Sequence, residues 1–119
     1  MERKMERADI AIIGTGPGGV SAALTAKVRN KNILLIGKKQ MSDKVSKAHQ
    51  IMNYPGLPAV TGADMAKAFE KQLAMMEINI TDSRIGTVYA MGDYFAIQAG
   101  GEVLEAKSVI LACGVVSGK

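Results

Sequence analysis

The chain has 119 residues, 48% of them hydrophobic, a net charge of +4 and a single cysteine. That length supports one hydrophobic core and is too short for two ordinary domains, and one cysteine excludes an intramolecular disulfide and any cysteine-based metal cluster. No apolar run approaches the ~20 residues of a membrane span and the charged N-terminus has no secretory signal, so no membrane role and a cytoplasmic setting are expected.

Residues 10–13 form an apolar run that leads directly into Gly14-Thr15-Gly16-Pro17-Gly18-Gly19. The segment behind it, residues 20–29, carries Ala22, Ala23, Leu24, Ala26 and Val28 and reads as a helix. With thirteen glycines in the chain, G-x-G-x-x-G spacing arises easily by chance. A strand before it and a helix after it make it the turn of a dinucleotide-binding βαβ unit. Gly14 then makes the tight turn, Gly16 lets the backbone approach a pyrophosphate, and Gly19 lets the helix pack on its strand. Pro17 suits the first helical turn, and the phosphates sit on the positive, N–H-rich end of the helix.

Asn30-Lys31-Asn32 turns the chain into residues 33–36, a continuous apolar run that reads as a parallel strand buried on both faces. Lys27, Arg29, Lys31, Lys38, Lys39, Lys44 and Lys47 stand against Asp43 alone between residues 27 and 47. A solvated surface, attraction to phosphate and attraction to an acidic protein all fit this stretch. Nucleic acid does not, because the five aromatic residues of the chain are not interleaved with it.

Residues 37–60 are mostly polar and read as a long loop closed by Pro55, Gly56 and Pro58. Thr61-Gly62-Ala63-Asp64 resembles a capping box, and Met65, Phe69, Leu73 and Met76 follow at helical spacing, which predicts a helix over 62–77 with those residues in the core. Residues 78–80 read as a third parallel strand. Residues 85–90, 94–99 and 102–106 read as an antiparallel meander with glycine turns, and residues 108–112 as a last buried strand. The expected fold is α/β: a Rossmann-like βαβ unit with a parallel sheet and a small antiparallel β-meander. It reads as an incomplete domain, since a doubly wound sheet needs more strands after the meander. Cys113 is expected to be a buried small hydrophobe, and His49 a loop residue without partners at metal-ligand spacing.

The glycine turn, Asn53-Tyr54-Pro55-Gly56 and Val109-Ile110-Leu111-Ala112-Cys113-Gly114 together make the chain resemble the FAD domain of the thioredoxin reductase family over almost its whole length. Lys47-Ala48-His49 and residues 89–95 are most similar to a clostridial-type branch, some of whose members take electrons from reduced ferredoxin instead of NADPH. The resemblance implies FAD as cofactor, lying along the first of two Rossmann-like domains. It implies that Gly14, Gly16, Pro17 and Gly19 hold the pyrophosphate and that Gly37 and Lys38 border the adenosine end. Asn53 would approach the flavin ring, Val88 would meet adenine through its backbone, and Ala112 and Gly114 would line the pyrophosphate.

Lys44 stands where many members carry a glutamine near the ring, and Cys113 where they carry a threonine. Residues 1–119 therefore read as the N-terminal part of a FAD/NAD(P)-binding domain, with the C-x-x-C pair and the nicotinamide domain outside it. No catalytic residue and no metal ligand is assigned. The implied partners of the complete enzyme are thioredoxin and either NADPH or ferredoxin, and a homodimer is compatible with the family. Two other readings remain open: an NADP-binding Rossmann oxidoreductase, favoured by Gly37-Lys38-Lys39 in place of an acid, and a non-catalytic nucleotide-binding fragment.

Overall fold

The computed structural model describes residues 7–39, 50–57 and 59–113, and among these described residues there are six strands and two helices. In chain order they are β1 (Ala8–Ile13), α1 (Pro17–Val28), β2 (Ile33–Gly37), α2 (Gly62–Met75), β3 (Ile80–Asp82), β4 (Ile85–Ala90), β5 (Phe95–Ala99) and β6 (Glu102–Leu111). They form one mixed sheet in the order β3-β2-β1-β6-β5-β4. The α/β expectation therefore holds: β1, β2 and β3 are parallel, and β4, β5 and β6 are the antiparallel meander.

The two faces of the sheet are buried differently. Ile12 and Leu35 pack on the helical side with Val20 and Ala23 of α1 and with Met65, Phe69 and Leu73 of α2. Ala11 and Ile36 belong to a second cluster with Ile97, Ala99 and Leu104 of the meander. The small residues of α1 bring the helix axis close to the sheet. Burying aliphatic side chains of this size stabilises a fold by roughly 1.5–3 kcal/mol each relative to leaving them exposed.

Helix ends follow local chemistry. Thr61 caps α2, its Oγ1 accepting the Asp64 N–H at 3.1 Å. At the other end the Ile78 N–H donates to the Leu73 carbonyl at 2.9 Å and the Glu77 N–H to the Ala74 carbonyl at 3.1 Å, with Glu77 in the left-handed region at φ 58. This is a Schellman closure. It ends the helix two residues before the expected 77 and moves the next strand from 78–80 to Ile80–Asp82, because the Ile78 N–H is already used. The same closure ends α1 at Val28, with Asn30 at φ 62 and the Lys31 N–H on the Ala26 carbonyl at 3.0 Å.

Two expectations about the last strands are corrected. Residues 102–106 and 108–112 are not separate strands but one continuous β6. Its first half pairs antiparallel with β5 and its second half parallel with β1, and Ala106 is the register partner of both Phe95 and Ala8. Lys107 interrupts the apolar pattern without turning the chain, and its ammonium lies 3.6 Å from the Asp9 carboxylate on β1. The second half is also not buried on both faces: Ile110 is 39% and Leu111 70% exposed. The helical cluster is built on β1, β2 and β3 and does not extend over that end of β6.

Candidate nucleotide-binding site

The carboxyl ends of β1, β2 and β6 meet around the glycine turn. The Gly14 N–H donates to the Ile36 carbonyl at 2.9 Å and the Ala112 N–H to the Ile13 carbonyl at 2.7 Å, so the three strand ends are locked together. Gly14 has φ 124, and a Cβ there would overlap the Ala112 carbonyl oxygen. A Cβ on Gly19 would overlap the Gly14 carbonyl in the same way, which seats the first turn of α1 directly on the turn. Both positions require glycine for steric reasons visible in the fold.

Gly16 differs. It is the N-cap of α1 at φ −79, and nothing lies within 4 Å of where its Cβ would be. No side chain caps the helix and no acid lies in its first turn. Pro17 occupies the first turn and has no N–H, while the Val20 N–H closes on the Gly16 carbonyl at 3.0 Å. The N–H groups of Gly18 and Gly19 have no intrahelical acceptor, as at any helix start. Open space, unused donors and a positive dipole end form a cradle that fits a phosphate group.

The turn is tied to β2 by a residue that the motif treats as filler. Thr15 Oγ1 donates to the Lys38 carbonyl at 2.7 Å, and a Cβ on Gly37 would come within 2.8 Å of the Thr15 methyl. The sequence shows Thr15 only as the variable position of G-x-G-x-x-G, so its role is invisible without the fold. Lys38 and Lys39 are exposed immediately beyond.

The structure thus brings together Gly14, Gly16, Pro17, Gly19, Gly37, Lys38 and Ala112. Asn53 and Val88 stand elsewhere. Asn53 is exposed on a segment anchored by the bridge between Ile51 and Val60 and by Tyr54, whose ring lies 5.5 Å from that of Phe69. Val88 is half-buried on β4, the strand at the edge of the sheet, with its side chain against the second cluster. Lys44, His49 and Gly114 lie outside the described residues. Cys113 corrects its expectation: it is exposed, with Sγ 3.9 Å from the Ile13 carbonyl. β6 has ended at Leu111, so Cys113 lies past the last strand pairing.

A cleft of about 430 Å³ lies at the opposite end of the sheet, lined among others by Lys27, Lys31, Asn32, Ile33 and Ile78. Ligands of open α/β sheets collect at the carboxyl ends of the strands, so this cleft is not the nucleotide site. Beside it, the Asn32 N–H on the Asp9 carboxylate at 2.9 Å holds that acid below the usual carboxylate range, with Lys107 and Lys31 acting in the same direction. Among the described residues no group of three or more His, Cys, Asp or Glu gathers as a metal site, and no helix is long and apolar enough to cross a membrane.

Residues 8–119 match the family model of the pyridine nucleotide-disulphide oxidoreductases. A thioredoxin reductase of Helicobacter pylori is 37% identical over 89% of this chain and 35% of its own length. A 34.2 kDa protein of the rubredoxin operon of Clostridium pasteurianum is 28% identical over 97% of this chain and 38% of its own. Among solved structures, a ferredoxin-flavin thioredoxin reductase of Clostridium acetobutylicum superposes with a TM-score of 0.92 at 44% identity, covering 97% of this chain and 40% of that one. The chain spans about two-fifths or less of these relatives. The glycine turn, the strand order and these matches agree, and the chain belongs to the pyridine nucleotide-disulphide oxidoreductase family, as a segment of a thioredoxin reductase-like protein.

Proposed function

We propose that this segment binds FAD as the N-terminal part of the flavin domain of a thioredoxin reductase-like enzyme. The observation that carries the proposal is the contrast between Gly14, closed against Ala112, and Gly16, open above an uncapped helix start. The N–H groups of Gly16, Gly18 and Gly19 hold the pyrophosphate, with Pro17 setting the first turn. Gly37 and Lys38 border the adenosine half, Ala112 and Gly114 close the strand end, and Val88 offers the open edge of β4 to adenine. Asn53 and Lys44 belong to the flavin half.

Bound flavin supplies the redox chemistry, and the protein orients it and limits access to it. In the complete protein the electrons pass to a disulfide and then to thioredoxin. A chain with one cysteine cannot provide that disulfide by itself. The reductant is ferredoxin or NADPH, and the 44% identity to a ferredoxin-flavin enzyme favours ferredoxin.

The test is to add FAD to the purified chain, remove free flavin and record the visible spectrum. Retained flavin absorbance supports the reading, and a colourless chain overturns it for this segment. The second reading, an NADP site, draws on Lys38 and Lys39 at the end of β2, where an NAD-selective fold carries an acid. Displacement of bound FAD by NADP at lower concentration than by ADP would favour it.

A further inference from the structure

The end of β2 lacks the acid that accepts a ribose hydroxyl in dinucleotide folds, and carries Gly37-Lys38-Lys39 in its place. The sheet brings an acid to the same spot from another strand. Gly37 is the register partner of Asp82, the last residue of β3, and parallel neighbours lie about 4.8 Å apart. Residues in register on adjacent strands share a face of the sheet. At Gly37 that face is known, because its Cβ direction points at Thr15 of the glycine turn. Asp82 is exposed, at a carboxyl strand end, beside a glycine whose missing side chain lets Thr15 of the turn pack against the end of β2.

We propose that Asp82 is the specificity-determining acceptor for the ribose of the adenosine half, replacing from β3 the acid missing after β2. The proposal rests on the FAD-binding reading and deepens it. A carboxylate there accepts the 2′-hydroxyl in a charge-assisted hydrogen bond and repels a 2′-phosphate. Lys38, its carbonyl held by Thr15, then borders the adenosine half without a phosphorylated ribose to bind. This assignment separates the two nucleotide readings: with Asp82 in place, the site selects an unmodified ribose.

The experiment is calorimetric titration of the chain, and of Asp82→Ala and Asp82→Glu, with ADP, 2′-deoxy-ADP and 2′-phospho-ADP. Asp82 is exposed, so each variant is expected to unfold at the temperature of the parent. The expected result is that the parent binds ADP about tenfold or more tightly than 2′-deoxy-ADP, the range for a hydrogen bond to a charged group. Asp82→Ala loses that margin on ADP, leaves 2′-deoxy-ADP unchanged and gains on 2′-phospho-ADP, while Asp82→Glu keeps most of the margin. Equal loss on ADP and 2′-deoxy-ADP in Asp82→Ala, or no discrimination by the parent, overturns the role of Asp82 alone. A parent chain that binds neither ADP nor FAD overturns the FAD-binding reading with it.

Discussion

Gly14 and Ala112 approach so closely that a β-carbon on the glycine would occupy the position of the alanine carbonyl oxygen. The contact joins the start of the glycine turn to the end of β6, residues 98 positions apart in the chain, and it forms only when β1 and β6 pair in parallel. Gly14→Ala is therefore expected to cost about 3 kcal/mol or more, from the overlap together with the unfavourable backbone region. Urea unfolding followed by circular dichroism measures it, and a loss below about 1 kcal/mol would mean that the turn can relax without cost.

Gly16→Ala makes the complementary case. The residue has φ −79 and open space around it, so stability should change by no more than about 0.5 kcal/mol. FAD affinity should fall about tenfold or more, because a methyl group would stand between the backbone and the phosphates. Flavin retention and thermal unfolding on the same sample distinguish the two effects.

Glu77 closes α2 in the left-handed region, which costs a residue with a β-carbon roughly 1 kcal/mol or more relative to glycine. Glu77→Gly should raise stability by about 0.5–1 kcal/mol without affecting nucleotide binding. An unchanged or lower urea midpoint would contradict that account of the helix end.

Asp9 gives a pH signature. Its carboxyl is held below the usual range, first by the Asn32 N–H and then by Lys107 and Lys31. A depressed folded-state pKa contributes stability that is present above the unfolded value and lost as the pH falls through the folded one. The parent should therefore be more stable than Asp9→Asn at neutral pH, with the gap closing below about pH 4. Melting temperatures of both proteins from pH 7 to pH 2 check this, and parallel curves would exclude it.

Much of the fold was legible because local signals are strong where they repeat. The small residues of α1, the cap at Thr61 and the spacing of Met65, Phe69 and Leu73 are each set within one or two helical turns, and each appears where it was expected. The ends were less legible. A helix closed by Glu77 in place of glycine leaves no punctuation in the sequence, so spacing alone puts the following strand two residues early. Lys107 is a charge between two apolar runs in the sequence, while the fold pairs it with Asp9 on a different strand.

For the site, the sequence by itself determined the turn, the helix start and their fitness for phosphate, since these lie within Gly14 to Gly19 and depend on backbone freedom and helix polarity. Only the tertiary structure decided why Gly14 must be glycine, that Thr15 holds the end of β2, that Cys113 is exposed, and that Asp82 stands in register with Gly37. The physical reason is that each of these depends on strand pairing or packing between segments distant in the chain. Such contacts leave no periodic trace in either partner.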